Sequence, residues 1–219
     1  MSGYYPVYLD LRGRRVVVVG GGAVAAKKVA GLVAAGAAVR VIAPELHPAL
    51  AERVARGEVE QLAREYRDGD LEGAHLAFAE RLGEELYRAL WREAERRRIF
   101  LNVEDETPYC SFIAASLLRR GDLTITVSTA GRAPALAVRI RQELERRYGD
   151  HHARFLELAG RLRAPLARRF PDFETRRSLW YRLVDSDVLE LLRRGDDAAA
   201  HRRFVEILGV EPEPAGVAP

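Results

Sequence analysis

Three consecutive glycines, Gly20-Gly21-Gly22, followed by Ala23-Val24-Ala25, form the segment of this chain best suited to hold a phosphorylated ligand. They satisfy G-x-G-x-x-(G/A) through Gly20, Gly22 and Ala25. Gly20 is expected to make a tight turn, Gly22 to let backbone approach a pyrophosphate, and Ala25 to let a helix pack close to a strand. The opening of that helix has unpaired N–H groups, which suit a phosphate. A second candidate is the acidic run Glu104-Asp105-Glu106, where Asp105 could take up a proton or simply cap a turn before Pro108. A third is Ser128-Thr129, whose hydroxyls could hydrogen-bond the carboxylates of a ligand or cap a helix beginning near Pro134.

Other side chains point away from chemistry of their own. Cys110 is the single cysteine, so no intrachain disulfide can form and one thiol is not a metal site. His151 and His152 are adjacent and, on a helix, are expected to diverge; His47, His75 and His201 are isolated. No bound metal is expected. Net charge is +3, which gives no general reason to bind nucleic acid. All but two of the 35 basic residues are arginine, the exceptions being Lys27 and Lys28 just after the glycine run. Ten arginines against four acidic residues lie between Arg132 and Arg169, a surplus that suits a polyanionic ligand or a solvated helix face. No window is apolar enough to span a membrane, and Met1 to Pro6 has neither the basic start nor the apolar run of a signal peptide. A cytoplasmic location is therefore expected.

These residues need a frame. Arg15–Val19, Ala38–Ala43, Glu58–Ala63, Ala74–Ala79 and Ile99–Val103 read as strands, and 23–35, 46–56 and 84–97 as helices between them. This alternation predicts a Rossmann-type α/β unit with a parallel sheet over residues 1–113, placing the glycine run and Asp105 at the carboxyl edge. Ser111–Arg119 and Leu123–Ser128 then read as two strands joined by the hairpin signal Arg120-Gly121-Asp122. With a helix over Pro134–Arg147 they form a small strand-helix region, 114–149, expected to need a partner surface. Residues 150–210 read as a helical C-terminal domain, and 211–219, rich in proline, as a disordered tail. After the second strand no arginine occurs before Arg53, which favours NAD over its 2′-phosphorylated form, with either Glu45 or backbone alone available to hold the ribose.

The run Gly20-Gly21-Gly22-Ala23-Val24-Ala25-Ala26-Lys27-Lys28 resembles the G-G-G-x-V-A-x-R-K loop of the precorrin-2 dehydrogenase family, which includes the N-terminal module of siroheme synthases. Asn102-Val103-Glu104-Asp105, Cys110-Ser111-Phe112-Ile113 and Ser128-Thr129-Ala130-Gly131-Arg132-Ala133-Pro134 resemble that family's N-V-V-D, C-S-F-I and S-T-x-G-x-S-P, in the same order. The resemblance implies a homodimer that oxidises a tetrapyrrole, precorrin-2, to sirohydrochlorin with NAD, in some members also inserting ferrous iron. It implies Asp105 as catalytic base. The cofactor-contacting positions are then Gly20, Gly22, Ala23, Val24, Pro44, Glu45, Ala79 and Asn102, with Ser128, Thr129 and Arg132 toward substrate. One departure stands out: Phe78-Ala79-Glu80 replaces A-A-T, putting a carboxylate where the family carries a small hydroxyl. A non-catalytic NAD-binding regulatory module would share the glycine run but would leave the later motifs unexplained.

Overall fold

The computed structural model describes residues 3–214. They form two compact units that divide between Ala114 and Ala115.

The first unit is a parallel sheet of β1 (Arg15–Val19), β2 (Ala38–Ile42), β3 (Val59–Leu62), β4 (Leu76–Ala79) and β5 (Phe100–Val103). Three helices, α1 (Ala23–Ala34), α2 (Pro48–Ala55) and α3 (Glu84–Arg97), connect the strands. Strand order is β3-β2-β1-β4-β5. Successive strand side chains point to opposite faces, so the four valines of β1 are divided between two cores. Val17 and Val19 pack with Tyr87, Leu90 and Ala94 of α3. Val16 and Val18 pack with Ala25, Val29 and Leu32 of α1 and with Leu50 of α2. All four valines are buried, each stabilising the fold by roughly 1.5–3 kcal/mol. In α3, Glu84 and Glu85 sit in the first turn and Arg96 and Arg97 in the last, matching the helix dipole.

Register aligns the strand ends. Val19 pairs with Ile42 and Ala79, and Ala79 with Val103. Gly20, Ala43, Glu80 and Glu104 therefore lie side by side along the carboxyl edge. The chain turns away from β1 in opposite directions through β2 and β4, so the crevice where such sheets bind ligands opens between the ends of β1 and β4.

The segment after β5 departs from expectation. The strand predicted from Ser111 begins only at Ser116. Ser111 instead exchanges hydrogen bonds with Leu101, its Oγ accepting from the Leu101 N–H at 2.8 Å and its N–H donating to the Leu101 carbonyl at 2.8 Å. A single 3-10 turn, Thr107–Tyr109, lies between.

The second unit starts with the antiparallel hairpin β6 (Ser116–Arg120) and β7 (Leu123–Val127). Gly121, at φ 55°, occupies its turn, where a side chain would be strained. Five helices follow: α4 (Pro134–Arg147), α5 (Asp150–Arg169), α6 (Phe173–Val184), α7 (Val188–Arg193) and α8 (Asp197–Leu208). Phe155, Leu162 and Leu166 of α5 meet Leu183, Val188, Leu192, Ala200 and Phe204 in one core. Asp172 and Asp196 cap α6 and α8 by accepting from Thr175 and Ala199 backbone N–H groups. The rings of His151 and His152, expected to diverge, lie 4.2 Å apart in the first turn of α5. Of the tail expected to be disordered, Glu213 is tied to α5: its N–H donates to the Arg161 carbonyl, and its carboxylate pairs with Arg168 at 2.7 Å. Residues 215–219 lie outside the described residues. Among the described residues, no helix is long and apolar enough to cross a membrane.

Candidate functional site

The glycine turn leaves β1 and opens α1. Gly20 has φ 115°, a conformation L side chains rarely adopt, and its N–H donates to the Ile42 carbonyl at 3.0 Å. Gly22 is the N-cap of α1 and offers no side-chain cap. Ala25 is fully buried against the strand core, as the motif requires. The spacing rule leaves the middle glycine free, but the structure does not. A Cβ on Gly21 would lie 2.1 Å from the Glu45 carbonyl oxygen, because the loop after β2 crosses it directly. The Gly21 carbonyl accepts from the His47 N–H at 2.7 Å, and His47 in turn caps α2. Only the folded loop after β2 reveals this constraint.

The donors at the start of α1 are engaged by a carboxylate. Glu80, next after β4, accepts from the Gly22 N–H through Oε2 at 2.9 Å and from the Ala25 N–H through Oε1 at 2.7 Å. A Cβ on Gly20 would sit 2.5 Å from Glu80 Oε2, and one on Gly22 would sit 2.9 Å from Oε1. The cup formed by these glycines thus holds an oxyanion, the Glu80 carboxylate. A dinucleotide pyrophosphate fits this donor set.

Pro44 and Glu45 are exposed beside the turn, and Ala79 is buried at the end of β4. Asn102 is buried, and its Nδ2 donates to the Phe112 carbonyl at 3.1 Å, holding the segment after β5 against the sheet. The Cys110 thiol belongs to the same lattice: it donates to the Val103 carbonyl at 3.2 Å and accepts from the Val103 N–H at 3.2 Å. Burial pushes this thiol's pKa up. Lys28, which stands over the Phe78 ring at 4.8 Å, is held below the usual lysine value by its own burial, opposed by the charge of Glu104.

This lattice presents Asp105. The residue is exposed at φ 58°, and the Glu106 N–H closes the turn onto the Val103 carbonyl at 3.3 Å. No hydrogen bond or ion pair engages its carboxylate among the described residues. Its chain neighbour Glu106 lines an open depression of about 600 Å³ with Arg81, Tyr87 and Tyr109 among others.

In the second unit both hydroxyls brace the turn into α4. Ser128 Oγ accepts from the Ala130 N–H at 3.1 Å and Thr129 Oγ1 from the Ala133 N–H at 3.2 Å. Arg132 is exposed. Of the arginine surplus, Arg141, Arg154 and Arg168 are ion-paired with Glu145, Asp197 and Glu213. Among the described residues no three His, Cys, Asp or Glu side chains are grouped to hold a metal ion.

A parallel sheet with an oxyanion-binding glycine turn at its switch point defines a dinucleotide-binding α/β protein. Comparison with known proteins narrows the class. The family model described as "Putative NAD(P)-binding" matches residues 7–116, followed by "Sirohaem biosynthesis protein central" over 120–147 and "Sirohaem synthase dimerisation region" over 151–208. The chain belongs to this NAD(P)-binding family, in the precorrin-2 dehydrogenase and siroheme synthase line to which its motifs point. The dimerisation description falls on the C-terminal helices, not on 114–149, where a partner surface is expected from the sequence.

A siroheme synthase of Photobacterium profundum is 35% identical over 204 residues, covering 93% of this chain and 44% of that protein. "Siroheme synthase 3" of Aeromonas hydrophila subsp. hydrophila is 37% identical, covering 97% of this chain and 46% of that protein. The chain spans less than half the length of these relatives. A solved structure, "SirC, precorrin-2 dehydrogenase", shares the fold with a TM-score of 0.72 at 23% identity, covering 94% of this chain and 99% of that one.

Proposed function

We propose that this chain oxidises precorrin-2 to sirohydrochlorin, with NAD as the oxidant. The observation that carries the reading is an oxyanion-binding glycine turn and a free, exposed Asp105 on one carboxyl edge of a parallel sheet. NAD, when bound, supplies the acceptor for a hydride. Gly20, Gly22, Ala23 and Val24 hold its pyrophosphate, Pro44 and Glu45 meet the ribose, and Ala79 and Asn102 form the floor. The unphosphorylated cofactor is favoured because Arg53, the first arginine after β2, is already paired with Glu58 at 2.6 Å. Asp105 takes up the proton that the macrocycle releases. Ser128 and Thr129 each accept one backbone N–H and keep an O–H to donate, which suits them, with Arg132, to the substrate's carboxylates. The chain acts as a homodimer, in keeping with its dimerisation region, and the cytoplasm suits its lone unpaired thiol.

The test is anaerobic incubation with precorrin-2 and NAD, followed by visible spectroscopy before and after adding ferrous iron. A sirohydrochlorin spectrum that needs both protein and NAD is expected. No change, with NAD binding intact, refutes the enzyme reading and leaves a non-catalytic NAD-binding module. Asp105→Asn is the matching variant, since Asn tolerates the left-handed backbone that Asp105 occupies. It should lose roughly 100-fold or more in turnover while still binding NAD. Retained turnover removes Asp105 from the chemistry.

A further inference from the structure

We infer that Glu80 sets this chain's dinucleotide affinity: its carboxylate is an internal anion seated in the phosphate cup of the glycine turn, and the cofactor binds by displacing it. The inference rests on the nucleotide reading of that turn.

The geometry leaves little room for both anions. Glu80 takes one N–H from Gly22 and one from Ala25, among the donors a pyrophosphate at the start of α1 must use. Its carboxylate also lies against the glycine faces across which a phosphate would approach, within 2.5 Å of a Cβ built on Gly20 and 2.9 Å of one on Gly22. Two oxyanions cannot share these donors, and like charges at such separation repel.

The arrangement is not ordinary capping from within the helix. The N-cap is Gly22, without a side chain, and the first turn of α1 holds no acidic residue. The carboxylate comes from the residue just after β4, 58 residues along the chain. Backbone fixes where it starts, since the Glu80 N–H donates to the Val19 carbonyl at 3.0 Å, at the switch point itself. The side chain beyond that anchor is unbranched, so a change of rotamer would carry the carboxylate out, and an incoming phosphate would then satisfy the donors it leaves.

Two variants and two probes test this on the full chain. In Glu80→Thr, NADH titrated by calorimetry should bind roughly tenfold more tightly or better, about 1.4 kcal/mol per tenfold. Glu80→Gln, nearly identical in shape but uncharged, should shift the same way by less, which covers a folding defect in the threonine variant. NADH that binds the unaltered chain but binds both variants no more tightly overturns the inference.

The second probe is inorganic pyrophosphate, followed through the Gly22 and Ala25 amide signals of the nitrogen-labelled protein. Those signals should move in the variants at concentrations roughly tenfold below those needed in the unaltered chain. If NADH binds none of the proteins while pyrophosphate behaves as expected, the nucleotide reading fails and the seated carboxylate stands. If pyrophosphate moves both amides equally with and without Glu80, or in neither case, the inference is wrong whatever NADH does.

Discussion

Replacing Gly21 by alanine should damage the first unit, although the glycine motif leaves that position free. The added Cβ would stand 2.1 Å from the Glu45 carbonyl oxygen and 2.9 Å from the Ala43 Cβ, whereas real Cβ atoms essentially never come within 3.0 Å of such atoms. The obstacle is backbone, so no rotamer change relieves it. The loop after β2 must retreat by about an ångström, stretching the hydrogen bond from the His47 N–H to the Gly21 carbonyl and displacing the residue that caps α2. Overpacking of this kind costs roughly 1–3 kcal/mol. A weakened backbone hydrogen bond adds about 1 kcal/mol. A total near 3 kcal/mol is expected.

Gly31, in the same helix, is the control, because nothing lies within 4 Å of its Cβ position. Gly31→Ala should stabilise by roughly 0.5–1 kcal/mol, through helix propensity alone. Urea denaturation followed by circular dichroism reads both changes as opposite shifts of the midpoint. A Gly21→Ala midpoint equal to that of the unaltered protein would refute the close approach. A destabilised Gly31→Ala would show that the contrast between open and closed positions is wrongly drawn.

Two ionisable groups give further tests. Tyr66 donates its hydroxyl to the buried Glu93 carboxylate, and desolvation followed by that hydrogen bond raises its pKa. The folded value is raised, so the contribution is fully present below the unfolded tyrosine value of about 10 and is lost as pH climbs beyond it. Tyr66→Phe should flatten the alkaline fall in stability relative to the unaltered chain, and an identical alkaline slope would exclude Tyr66 as its source. Cys110, half-buried and raised by desolvation, should react with a thiol reagent at pH 8 roughly tenfold or more slowly in the native protein than in urea. Equal rates would show that the lattice around Val103 opens freely.

The limits of sequence reading follow from the range of each interaction. The valine run of β1, the Ala-rich helix after the glycines and the amphipathic α3 are local patterns, and the observed element bounds follow them closely. The strand predicted from Ser111 failed because β5, not the next strand in sequence, supplies its hydrogen-bonding partners. Ser128 and Thr129, left between ligand contact and capping, each accept a backbone N–H at the turn into α4; that does not exhaust their hydroxyls.

The alternation of strands and helices, the glycine turn at the head of α1 and the placement of Asp105 just past a strand are all legible in local pattern, because sterics and side-chain periodicity act over a few residues. That Glu45 closes on Gly21, that Asn102 and Cys110 brace the loop presenting Asp105, and that Glu80 reaches the start of α1 emerge only in the folded chain. Those contacts join segments brought together by parallel strand register, and no local pattern encodes which carboxylate will arrive at a given set of amides.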